Sequence, residues 1–356
     1  MTKTLRLGQA RSVNGRKALG KFELPAHHLL THGLIVGMTG SGKTGLVTVL
    51  VEEALRSEIP VLCFDIKGDM ANLALAFPNF DPKVMAPWVE PDAEDADGLA
   101  DDPLVVAAVE ARKKGLADCG IHEADLRAYG EQSFVRVITP GSDAGESLHL
   151  LSALERRSAR WDSVEVGRWM DKVDGRTPAT IVSVAHLDDD ERVLVLGVIL
   201  EEVLSWVRSL PGSTRLKALI IFDEVYGYLP PHPASPPTKK PLVALMKQAR
   251  AYGVGCVLAT QNPMDLDYRA LSNAGTWWLG RLQTDADRTR VVEGLGENKK
   301  RSALSAIVKK LTPRWFVVKG AKSDELSLLY PRDTMSYLRG PMTQSEIKRA
   351  TQGGRE

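Results

Sequence analysis

The chain has 356 residues, 44% of them apolar, with 46 Lys and Arg against 45 Asp and Glu and a net charge of +1. That length holds one large or two small domains with a sizeable core, and the charge balance excludes a globally basic nucleic-acid binder, so that any basic surface must be local. The three cysteines, Cys63, Cys119 and Cys256, form no C-x-x-C pair, which argues against metal ligation and for a reduced, cytoplasmic protein. Cys63 and Cys256 sit in apolar runs and read as buried thiols. No apolar run is long enough to span a membrane, and no hydrophobic segment follows the basic N-terminus.

In chain order, residues 1–30 hold short strand candidates, Thr4–Leu7 and Lys21–Leu24, split by the turn dipeptide Asn14-Gly15. Gly33–Val36 leads into a Gly-rich stretch and a helical run, Lys43–Arg56, and Val61–Asp65 is a short apolar run ending in an acid. Strand, loop, helix and strand in that order are the rhythm of a βαβ unit. Residues 78–103, rich in Pro, Asp and Glu, read as a loop; Leu104–Leu116 reads as a helix and Phe134–Thr139 as a strand, and residues 152–178 have no clear period. Thr180–Ala185 reads as a strand, Asp190–Leu210 as an amphipathic helix and Ala218–Asp223 as a strand. The Pro-rich segment 229–241 is predicted to be irregular, with Leu242–Tyr252 a helix and Val254–Thr260 and Thr276–Leu282 strands. Two helices, Asp285–Gly294 and Arg301–Lys310, precede a hairpin of Trp315–Val318 and Leu326–Tyr330, and Thr343 to Glu346 fits a capping box. Strands alternating with helices predict an α/β fold with a mainly parallel sheet flanked by helices.

The segment Gly37-Met38-Thr39-Gly40-Ser41-Gly42-Lys43-Thr44, followed by Gly45, matches G-x-x-x-x-G-K-[ST] between an apolar strand and a helix. Glycines let backbone N–H groups turn inward around a phosphate chain, and the helix presents its positive end to the same anion. Lys43 is placed to reach the β- and γ-phosphates, and the Thr44 hydroxyl to ligate Mg²⁺. These features imply a P-loop ATPase with ATP and Mg²⁺ as ligands. Such a site needs acids, and the run Ala218 to Glu224 supplies two at a strand end. Asp223 would hold the metal through water, and Glu224 would polarise the attacking water. Gln261, after the strand Val254–Thr260, is a candidate γ-phosphate sensor. Val61–Asp65 is expected between the loop strand and the Asp223 strand or beside them, with Asp65 either a supporting acid or part of a plain turn.

Together the segments LIVGMTGSGKT, FDIKGD, IIFDEVYGYLPP, LMKQARAYGVGCVLATQNP, LSNAGTWWLGRLQT and SYLRGPMT resemble the HerA/FtsK superfamily of DNA-pumping ATPases, and are most similar to bacterial HerA-like proteins. The resemblance implies a RecA-like P-loop core over residues 31–345, with 78–178 a variable insert region, a short N-terminal β segment at 1–30 and a C-terminal tail at 346–356 as small β/α additions. It implies a homo-oligomeric ring, a hexamer in the family, with ATP between subunits and double-stranded DNA as partner. It also implies an arginine acting in trans, for which Arg250 is the first candidate and Arg281 the second. A nucleotide-switched subunit of a nuclease or defence complex, with a partner nuclease, is the alternative. The chain departs from the family in two places: residues 1–30 are too few for the β-barrel that opens HerA proteins, and the polar stretch Arg156–Val166 stands where relatives carry a longer helical segment. The basic clusters Lys299-Lys300-Arg301, Lys309-Lys310 and Lys239-Lys240 suit either phosphate-backbone contact or a solvated surface.

Overall fold

A computed structural model of the chain describes residues 3–15, 17–89, 99–148, 163–294, 301–321 and 325–352. Among them lie the strands β1 (Thr4–Ser12), β2 (Ala18–Pro25), β3 (Gly33–Val36), β4 (Val61–Asp65), β5 (Ser133–Pro140), β6 (Glu146–Leu148), β7 (Thr177–Ser183), β8 (Ala218–Asp223), β9 (Val254–Thr260), β10 (Thr276–Leu279), β11 (Phe316–Lys319) and β12 (Leu326–Pro331). They form one sheet in the order β2-β1-β12-β11-β10-β3-β9-β8-β4-β7-β5-β6. From β10 to β6 every neighbouring pair is parallel; from β2 to β10 every pair is antiparallel. The RecA-like α/β class with a mainly parallel sheet, expected from the motifs, is therefore the class observed.

Strands β3, β4, β8 and β9 are buried at every residue, as strands covered on both faces must be, and this is why each reads as a continuous apolar run. One face packs under helices Asp189–Ser209 and Lys239–Gln248, the other under helix Lys43–Arg56. Neighbouring residues of a strand point to opposite faces, so Trp277 enters the first layer and Trp278 the second, and both rings are buried. Cys63 and Cys256 are buried as expected, and Cys119 is exposed.

Helix Lys43–Arg56 carries two buried acids, Glu52 and Glu53. Both are paired with Arg332, at 2.7 and 2.9 Å. Glu52 also accepts from the backbone N–H groups of Met335 and Ser336 and from the Ser336 hydroxyl. Five donors on two buried carboxylates tie the first helix to the segment after β12, meeting the condition on which charge is tolerated inside a fold.

Several expectations are corrected. Within 78–103, helix Pro82–Val89 forms, because Asp81 receives the Lys83 N–H at 2.9 Å and Met85, Ala86 and Trp88 have an apolar layer to enter. Helix Lys239–Gln248 starts inside the Pro-rich segment: Pro241 lies in the first turn, where its missing N–H would have had no partner. Its last turn becomes a 3-10 helix, Ala249–Tyr252. Strand β10 ends at Leu279 rather than Leu282. Helix Glu123–Gln132 was not anticipated. Of the two places expected for Val61–Asp65 the second is observed: strand β4 lies beside β8 on the side away from β3, and the strand between the loop strand and the acid strand is β9. The terminal hairpin β11–β12 forms, and the capping box is made: Glu346 accepts the Thr343 N–H at 2.7 Å and the Thr343 hydroxyl accepts the Glu346 N–H at 3.4 Å. Most of the polar stretch from Arg156, and Lys299-Lys300, lie outside the described residues. No helix among the described residues is long and apolar enough to cross a membrane.

Candidate nucleotide site

The site stands at the carboxyl ends of the parallel strands, where open α/β sheets hold ligands. The loop after β3 is pinned from both sides: the Gly37 N–H donates to Thr260 O at 3.2 Å, and the Met38 N–H to Arg281 O at 2.9 Å. Gly40 and Gly42 have φ of 74° and 94°, in the left-handed region, and a Cβ on Gly42 would lie 3.1 Å from Arg314 Cα. Both positions therefore require glycine. Gly45 opens onto free space at the start of the helix. Lys43 is buried and folds back on its own loop, donating to Gly37 O at 2.5 Å and Met38 O at 3.2 Å. Burial pulls its ammonium down to about 8, against the opposing pull of Glu224 and Asp223.

Asp65 and Asp223 are partners in register on β4 and β8. Asp65 is fully buried and accepts the N–H groups of Gly68 at 2.8 Å and Met70 at 3.0 Å, so it builds the turn and also lies against Asp223. Burial and Asp223 raise it to about 7. Burial raises Asp223 to about 6, with Glu224 and Asp69 adding to the rise and Lys67 and Lys43 opposing it. Glu224 has φ of 63°, a conformation uncommon outside glycine that swings its carboxylate off the strand direction. That carboxylate meets Lys67 Nζ at 2.8 Å and the Gln261 N–H at 3.1 Å. The Thr39 hydroxyl donates to Gln261 Oε1. One network thus runs from the phosphate loop through Gln261 to Glu224 and Lys67.

Lys43, Asp223, Glu224, Gln261 and Thr39 are brought together, and Arg281 joins them at the rim, its carbonyl bonded to the loop and its side chain exposed. Arg250 is not brought to this site. It precedes β9, whose far end carries Gln261, and a seven-residue strand spans roughly 23 Å at about 3.3 Å per residue. Arg250 instead lines a groove of about 880 Å³ with Arg215, Lys247, His27 and His28. No described carboxylate lines that groove. Lys239 is buried on Asp267 at 3.2 Å, which takes it out of the exposed basic surface, whereas Lys309 and Lys310 are exposed. Tyr228 is buried against Phe222, and Tyr226 is exposed.

Sequence reasoning missed two residues. Lys67, in the segment Asp65 to Asp69, was signalled only by its place at a strand's carboxyl end, and Arg314 by nothing local. Two buried oxygens, Asp223 Oδ2 and Ser41 Oγ, have no partner among the described residues. An orphaned carboxylate oxygen beside Lys43 is the oxygen-donor setting a hydrated divalent cation takes. The residues present therefore fit a magnesium-bound triphosphate.

Residues 24–100 match the family model "helicase HerA, central domain", so the resemblance read from the motifs is found independently over that stretch. No curated protein matches the chain. Among solved structures, the chain is similar to the bacterial conjugative coupling protein TrwBdeltaN70, with 16% identity, a TM-score of 0.49 and coverage of 95% of this chain and 91% of that one. It is similar to VirB4 of Thermoanaerobacter pseudethanolicus, with 13% identity, a TM-score of 0.45 and coverage of 92% and 96%. It is also similar to the genome packaging NTPase B204 from Sulfolobus turreted icosahedral virus 2 in complex with AMP, with 12% identity, a TM-score of 0.43 and coverage of 84% and 96%.

Proposed function

We propose that the chain is an ATP-hydrolysing, HerA-like motor subunit that works in a ring as a double-stranded DNA translocase or helicase. The observation that carries the proposal is the division of charged groups between the two ends of the parallel sheet. Lys43, Asp223, Glu224 and Gln261 converge at one end, and Arg250 stands unpaired by any described carboxylate at the other. Only a neighbouring copy can bring such an arginine to a phosphate, and head-to-tail contacts that close make rings.

The loop N–H groups and Lys43 bind the β- and γ-phosphates, Lys43 exchanging its two carbonyl partners for phosphate oxygens. Thr44 and Asp223 would hold Mg²⁺, which when bound neutralises charge on the triphosphate. Glu224 takes the proton of the attacking water; its bonds to Lys67 and the Gln261 N–H fix the carboxylate and keep it ionised against the pull of burial. Gln261, bonded to Thr39 and Glu224, is positioned to orient the water and register the loss of the γ-phosphate. Exposed Lys309 and Lys310 suit contact with a DNA backbone.

The test is native mass with a non-hydrolysable ATP analogue, together with steady-state phosphate release with and without duplex DNA. A ring and DNA-stimulated turnover are expected. A monomer under all conditions, with turnover indifferent to DNA, would overturn the motor reading and favour a nucleotide-switched subunit of a nuclease or defence complex.

A further inference from the structure

The phosphate loop accounts for a triphosphate and leaves the base of the nucleotide without a seat. A groove of about 710 Å³ opens between the antiparallel wing of the sheet, the last turn of helix Lys43–Arg56 and the end of helix Pro103–Asp118. Its wall nearest the loop is Arg314. The Arg314 backbone N–H donates to Ser41 O at 3.0 Å, and its Cα packs where any side chain on Gly42 would be. Arg314 has φ of 67°, a left-handed conformation that glycine adopts far more readily.

That backbone state lays the side chain over the ring of Tyr330, with the guanidinium carbon 4.9 Å from the ring centroid. Asp333 and the Pro331 carbonyl hold the guanidinium edge. Tyr330 is backed by Trp315 at 5.1 Å between centroids, and Trp315 is covered in turn by Arg11 at 5.3 Å. One face of the Arg314 plane is therefore spent on Tyr330, and 41% of the side chain stays open. A planar cation, held over an aromatic ring and partly open to solvent, is a group on which a heteroaromatic ring stacks. Here it adjoins a phosphate cradle.

We infer that the guanidinium of Arg314, seated on Tyr330, is the platform on which the nucleotide base stacks. The inference rests on the reading of Gly37 to Thr44 as a nucleotide loop and deepens it: the loop grips phosphate, and Arg314 supplies the affinity for the base.

The test is calorimetric titration of the full chain with a non-hydrolysable ATP analogue and, separately, with inorganic tripolyphosphate. Arg314→Ala should weaken the analogue about tenfold and leave tripolyphosphate unchanged. Arg314→Lys, which keeps the charge and loses the plane, should weaken the analogue to a similar degree. Wild-type protein, which needs no substitution, should bind the analogue more tightly than tripolyphosphate. Equal weakening of both ligands by Arg314→Ala, full affinity in Arg314→Lys, or equal wild-type affinity for both ligands would overturn the platform and leave the phosphate loop standing. Binding of neither ligand by the wild type would overturn the loop reading itself, and the platform with it.

Discussion

Replacing Arg332 by Met should unlatch the phosphate-loop helix from the C-terminal segment. Arg332 is buried, with its two ion pairs to Glu52 and Glu53 at 2.7 and 2.9 Å. Met fills most of the volume, so the loss is chiefly electrostatic. Glu53 keeps Arg56 at 3.1 Å and the Arg6 N–H at 2.8 Å. Glu52 keeps its three donors from Met335 and Ser336 but loses its ion-pair partner, leaving Arg112 as a more distant counter-charge. Breaking one side of a buried pair costs about 3–5 kcal/mol. With an unfolding entropy near 2.1 cal/mol/K per residue, the chain of 356 residues gives roughly 0.75 kcal/mol/K, hence a fall in Tm of about 4–7 °C. The assay is scanning calorimetry of wild type, Arg332→Met, Glu52→Gln and the double variant. The double variant, which removes charge from both sides and leaves an amide oxygen for the same donors, should recover at least about 2 kcal/mol of the loss. A single variant melting within about 1 °C of the wild type, or a double variant no better than Arg332→Met, would refute the reasoning.

Glu224→Gln should retain nucleotide binding and slow phosphate release by about 10²–10⁴-fold; a rate close to wild type would remove Glu224 from the proton-accepting role. Arg250→Ala should keep binding and lose about 10³-fold or more in turnover, and mixing it with Lys43→Ala protein should restore activity, since one mixed interface is intact. If mixing restores nothing, Arg250 does not act across subunits. His32 should make the protein acid-sensitive. It is buried, accepts the Cys256 N–H on Nδ1 at 3.0 Å, and is held down to about 4 by burial and by Arg250. Because the folded value lies below the ordinary 6.5, the unfolded chain takes up a proton that the folded chain refuses: the contribution is complete above pH 6.5 and is lost as pH falls toward 4. At pH 5 that amounts to roughly 2 kcal/mol. His32→Asn, which cannot titrate, should gain that much relative to wild type between pH 7 and pH 5 in urea unfolding. Parallel pH profiles would sink the assignment.

The parts of the site that lie on one short stretch of chain were legible in the sequence. The loop from Gly37 to Thr44, the buried run ending at Asp223 and the strand before Gln261 each carry their own signal, because a fully buried strand must be apolar throughout and a phosphate cradle must be glycine-rich. Lys67 was not legible, because its meaning comes from Glu224, 157 residues away. The same holds for Arg332 and Glu52, 280 residues apart. A pairing of that kind leaves no periodicity and no local composition. Where strand β4 lies was left open for the same reason: hydrogen-bond partners in a parallel sheet are set by the crossovers, and the residues of β4 would have suited either position. Composition misled at Lys239, since proline in a first helical turn costs nothing that the turn had not already lost, and at Pro82–Val89, where Pro82 takes the first turn and the helix forms in spite of Pro87 in its interior.

Strand β9 pairs with β8 over Val254–Leu258 and with β3 over Val257–Thr260, so each of its residues is bonded on at least one side. A strand held this way is nearly inextensible and cannot slide past its neighbours, so a load at one end moves it together with them. Arg250 stands before one end and Gln261 after the other. In a ring of the proposed kind, a displacement of Arg250 by events at the next subunit's phosphates would be carried through Gly253 and along β9 toward Gln261, beside the subunit's own. Sequential firing around the ring would then need no relay of loops, since a single rigid strand links each site to its neighbour's.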